Sequence, residues 1–141
     1  MIIYNKNTKE ILESDKLSSA EFDMQWFLND PVYHFIKATP QQEADYIKQQ
    51  NELQLANNKT TAINQLQTLK TTTIDKLIVD NFAISIKAIA NNSPLDIEII
   101  KALDTKLDNI DTELANAIHN INEAINQTAI DNAIQTFTGI L

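Results

Sequence analysis

At 141 residues, with 43% apolar content, the chain has the length of one domain and the composition of a folding sequence rather than a disordered one. Its 11 basic residues are all lysine and its net charge is −8, which disfavours direct nucleic-acid binding: the guanidinium fork is missing and a polyanion is repelled. With no cysteine there is no disulfide, thiolate metal site or thiol nucleophile, and the single glycine, Gly139, leaves no phosphate-cradling loop.

The start of the chain reads as β structure. Residues 2–4 ("IIY") and 10–12 ("EIL") flank the polar "NKNTK", the pattern of a short β-hairpin turned by asparagine. Residues 22–38 then concentrate aromatic rings, among them Trp26, Phe27, Tyr33 and Phe35. Asp30-Pro31 interrupts this stretch, so a short helix is predicted over 20–28 and an extended segment over 32–36.

A helix start follows at "TPQQ", with Thr39 as N-cap, Pro40 in the first helical position and Gln42 completing a capping box. The apolar pattern runs on to Ala90 and weakens over 55–61, where a bend or break is expected. "NNSP" (91–94) reads as a stop and restart, with asparagine ending one helix, Ser93 capping the next and Pro94 opening it. The second helix is predicted to run to about Gln135. It carries two heptad series, Ile100, Leu107, Leu114, Ile121 and Leu103, Ile110, Ala117, Ala124, the seam of a helix built to lie on another helix. If the chain reverses at Asn92, Ile84 meets Ile100, Leu77 meets Leu107 and Ile63 meets Ile121, while Lys70 falls badly opposite Leu114. The fold class expected is therefore mainly α: a long, coiled-coil-like antiparallel helical hairpin (40–141) after a small N-terminal β-hairpin and aromatic lobe (1–39).

Such a hairpin buries one stripe per helix. Ile118, Ile125, Ile134 and Phe137, with Ile97 and Ile130 near the helix ends, are left over as apolar surface for the N-terminal aromatics, a partner or a second copy to cover. The rings of Trp26, Phe27, Tyr33 and Phe35 read either as packing for the N-terminal lobe or as an exposed anchor patch.

Nothing in the pattern points to an enzyme, and no cofactor or metal site is expected. His34 and His119 are the only histidines, and His119 falls on an outer heptad position. Asp104, Asp108, Asp111 and Glu113 are interleaved with the seam and read as a solvated helix face, without the glycine turn of a calcium loop. No apolar run is long enough to span a membrane, and "MIIYNKNTKE" lacks the features of a secretion signal.

The opening "MIIYNKNTKEIL", the stretch "QWFLNDPVY" and "ATPQQEADYIKQQ" leading into a long Gln/Asn/Ala-rich helix together resemble the small tail-associated proteins of tailed bacteriophages, the tail fibre assembly and tail accessory types. The resemblance covers about the first 65 residues. It implies a non-catalytic component of a phage or prophage tail that binds a tail or fibre subunit, or itself as an oligomer. Its setting would be the bacterial host cytoplasm during assembly and the virion tail. The alternative is a free-standing acidic helical adaptor or inhibitor that occupies a basic protein partner, with no direct nucleic-acid or membrane contact.

Overall fold

The computed structural model describes residues 2–5, 7, 11–13 and 35–141. The protein is mainly helical. Among the described residues, three strands, β1 (Ile2–Asn5), β2 (Ile11–Glu13) and β3 (Phe35–Lys37), precede three helices, α1 (Pro40–Ala90), α2 (Ile97–Glu123) and α3 (Gln127–Thr138). Two compact units divide inside α1, Met1–Leu53 and Gln54–Leu141.

In the first unit the strand order is β2-β1-β3, both pairings antiparallel, so that Ile3 faces Leu12 on one side and Lys37 on the other. The helix predicted over 20–28 and most of the extended segment over 32–36 lie outside the described residues. After β3 the chain buries Ala38 and enters α1 through a reciprocal capping box. The Thr39 amide donates to Gln42 Oε1 at 2.9 Å and the Gln42 amide to Thr39 Oγ1 at 3.3 Å, satisfying two backbone donors that a helix start would otherwise leave open.

The second unit holds the core. Along α1, Lys59 Nζ donates to the Asn122 carbonyl at 2.7 Å and Lys70 pairs with Asp111, so rising numbers on α1 meet falling numbers on α2: the two helices are antiparallel. The register differs from the sequence expectation by almost one turn. Lys70 meets Asp111 instead of Leu114, which turns the one poor match of the expected register into an ion pair. The weakened stretch 55–61 does not break. Its polar side chains are used from outside the helix, Asn58 Nδ2 donating to Gln127 Oε1 at 2.7 Å, and from inside it, Thr60 Oγ1 donating to the Ala56 carbonyl.

α1 ends in a Schellman motif. Asn92 takes the left-handed conformation (φ 52), the Ser93 amide donates to the Ala88 carbonyl at 2.8 Å and the Asn92 amide to that of Ile89. Ser93 is thereby part of the stop, and the restart shifts. Asp96, not Ser93, caps α2, its carboxylate accepting the Glu98 amide at 3.0 Å where a negative charge also suits the helix dipole. Pro94 lies in the connection instead of opening the helix. Replacing Asp96 with alanine should cost about 1 kcal/mol in a urea melt. The same change at Ser93 should cost clearly less.

The predicted second helix is in fact two. α2 stops at Glu123, and Asn126 caps α3 by accepting the Ala129 amide on Oδ1 at 2.9 Å. The heptad seam explains the break. Continued past Ile121 and Ala124 in sevens it would place Thr128 and Asp131 in the core, both polar. By turning back over α2, the chain instead buries Ile130, Ala133 and Phe137. α3 then runs in the same direction as α1, with Gln127 beside Asn58 and Ile134 beside Leu69. The core is the interior of this three-helix segment: Ala62 and Leu66 from α1, Ile110, Leu114, Ala117 and Ile121 from α2, Ala124 from the turn, and the α3 trio. Leu66, Ile110, Ile121, Ile130 and Phe137 are fully buried, each worth roughly 1.5–3 kcal/mol relative to exposure.

Candidate protein-binding surface

The core ends on α1 at Leu66, with Ile74 and Leu77 partly buried against it. From Ile78 to Ile89 every large apolar side chain of α1 is exposed: Ile78, Val79, Phe82, Ile84, Ile86 and Ile89. Leu95, Ile97, Ile99 and Ile100 at the start of α2 are exposed as well. The cause is architectural. Among the described residues only two helices face each other near the Asn91–Asn92 turn, and a helix pair covers one stripe on each. Ten such residues at about half exposure present on the order of 1,000 Å² of apolar surface, above the roughly 300–600 Å² of the largest patch on an ordinary monomer.

Within this surface lies a groove of about 300 Å³, lined by Ile78, Phe82 and Ile84 of α1 and by Leu95, Ile99 and Leu103 across from them. Its polar residues are already engaged. Asn81 Nδ2 donates to the Leu77 carbonyl, Ser85 Oγ to the Asn81 carbonyl, and Asp96 is the helix cap. What remains to meet a ligand is aliphatic and aromatic, suited to apolar side chains of another protein.

The residues singled out from the sequence fall elsewhere. Trp26, Phe27 and Tyr33 lie outside the described residues, and Phe35 is placed on β3 by its backbone pairing with Asn5. Phe137, expected as spare apolar surface, is 1% exposed, because the turn at 124–126 folds α3 inward. Ile118 and Ile134 are half-buried against the core for the same reason. Only Ile125, at the turn, stands free at 84% exposure. His119 is exposed on the outer face of α2, as its heptad position predicts. Among the described residues no group of three or more His, Cys, Asp or Glu side chains could hold a metal ion, and no helix is long and apolar enough to cross a membrane.

Sequence reasoning missed the exposed end because it paired Ile84 with Ile100 and so treated this stretch as closed seam. The available signal was apolar density: around residues 78–89 isoleucine, valine and phenylalanine occupy more of the helix circumference than one seam can cover.

Compared with family models, with curated protein sequences and with solved structures, the chain matches none.

Proposed function

We propose that this chain is a non-catalytic, protein-binding component of a phage or prophage tail, of the tail accessory or fibre assembly type, and that it holds its partner at the exposed apolar groove between α1 and α2. The observation that carries the binding role is that groove: a large apolar surface whose polar groups are internally satisfied is stable in water only at a cost that a partner removes. The tail assignment rests on the N-terminal resemblance. On this reading the molecule is a coiled-coil-like helical hairpin, and the N-terminal β-hairpin and aromatic lobe, with Trp26, Phe27, Tyr33 and Phe35, offers a second anchor. A net charge of −8 keeps the free chain soluble and turns it away from acidic partners.

The test is co-purification with tail and fibre subunits from a lysate of the producing host, and detection in purified virions. Replacing Leu95 and Ile99 together with glutamate should abolish capture while leaving the helical signal in circular dichroism unchanged, since both side chains are already exposed. A chain that retains no tail or fibre subunit, or a double variant that retains them as well as the parent does, would overturn the reading.

A further inference from the structure

The reversal between α2 and α3 is made by Ala124, Ile125 and Asn126. None of them is glycine or proline, so their covalent chemistry permits a straight helix through this point. Instead Ala124 is extended (φ −62, ψ 133), and so is Asn126 (φ −155, ψ 170). Side chains hold the corner. Asn126 Oδ1 accepts the Ala129 amide at 2.9 Å. Lys59 Nζ, reaching across from α1, donates to the Asn122 carbonyl at 2.7 Å, in a last turn of α2 that has no basic residue of its own. A straight helix gives up both contacts. In exchange its backbone pairs the carbonyls and amides that a helix end and a helix start leave over.

We infer that the corner at 124–126 is a hinge and that α3 exchanges between two copies of the chain, each α3 seating in the slot the other has vacated. Two observations select a second copy as the occupant. The first is the direction of the apolar face. At about 100° per residue, Ile130, Ala133 and Phe137 on a straightened helix lie roughly 120–180° round from Ile121. Ile121 is on the core face of α2, so α3 released from the corner turns its apolar side away from its own core. Covering that side again takes another molecule.

The second observation is the slot left behind. It belongs to the core that Ala62 and Leu66 of α1 form with Ile110, Ala117 and Ile121 of α2, and its fit to α3 is seen in the chain itself. At its entrance Asn58 Nδ2 donates to Gln127 Oε1 at 2.7 Å. A second copy brings the same 12-residue helix with the same side chains. The exchanged dimer therefore repeats the monomer core twice and differs from two monomers only at its two hinges, the reciprocal arrangement of a closed two-fold assembly.

The inference is independent of the tail reading, because it concerns the end of the helix pair away from the groove and is tested on the isolated chain. Refolding the full chain from urea at high concentration should yield a dimer beside the monomer, separated by size exclusion. Asn126→Ala removes the cap and favours continuous helix, so it should raise the dimer about fivefold for each hinge. Ile125→Pro should do the reverse. Proline suits a corner where the residue before it is already extended, and it is excluded from a helix interior. This variant should keep the circular dichroism of the parent and form no dimer.

Exchange itself is read by cross-linking, since the chain has no cysteine of its own. Chains carrying Asn58→Cys, refolded together with chains carrying Gln127→Cys, should form mixed disulfide dimers, because these two positions meet across copies only when one copy's α3 seats on the other's α1. A parent and an Asn126→Ala chain that both stay monomeric, an Ile125→Pro chain that dimerises as the parent does, or the absence of mixed disulfides would each overturn the inference. Failure of tail-subunit capture would leave it standing.

Discussion

Replacing Phe137 with alanine is expected to cost about 3–5 kcal/mol of unfolding free energy, among the largest single-residue effects in the molecule. The ring is 1% exposed and lies in the last full turn of α3, where it closes the core shared by the three helices. Truncation removes its transfer free energy and leaves a cavity between elements that cannot collapse independently. The matched control is Ile125→Ala, only twelve positions earlier and equally apolar, which at 84% exposure should change stability by no more than about 0.5 kcal/mol. Urea melts followed by circular dichroism measure both. Similar losses at the two positions would mean that α3 is not docked over α2.

Two heptad-equivalent isoleucines should likewise separate. Ile100 and Ile121 occupy the same seam position, three heptads apart, and the repeat alone treats them alike. In the structure Ile121 is 0% exposed and Ile100 is 51% exposed. Ile121→Ala should therefore cost about 2–5 kcal/mol, and Ile100→Ala less than about 1 kcal/mol. Equal effects would show the seam closed along its whole length.

The candidate site was only partly legible. The reading that spare apolar surface exists was made from the sequence, but it was placed at Ile118, Ile125, Ile134 and Phe137, near the end of the chain. The structure moves it to the other end of the helix pair, around Phe82 and Ile100. The error follows from one missed turn. With α2 and α3 read as a single helix, the apolar face of α3 had nothing to pack on and seemed free. Once α3 folds back, its face becomes core, and the unpaired surface is the part of α1 and α2 beyond its reach.

Local chemistry determined where α1 starts and where it stops. The Thr39–Gln42 box and the asparagine that ends α1 depend on groups within a few residues of each other, and the sequence contains all of them. Periodicity likewise determined that the chain is mainly helical and which face of α2 turns inward at Ile110, Leu114, Ala117 and Ile121. Only the tertiary structure decided the register of α1 on α2, the break at 124–126 and which apolar residues are covered. Register is a comparison among offsets that dense isoleucine stripes satisfy almost equally, and the Lys70–Asp111 pair discriminates between them only once both helices are in place. Ala124, Ile125 and Asn126 contain no glycine or proline to force a turn. The turn exists because burying Ile130, Ala133 and Phe137 against two other helices stabilises the chain by more than one further turn of seam with Thr128 and Asp131 facing inward would.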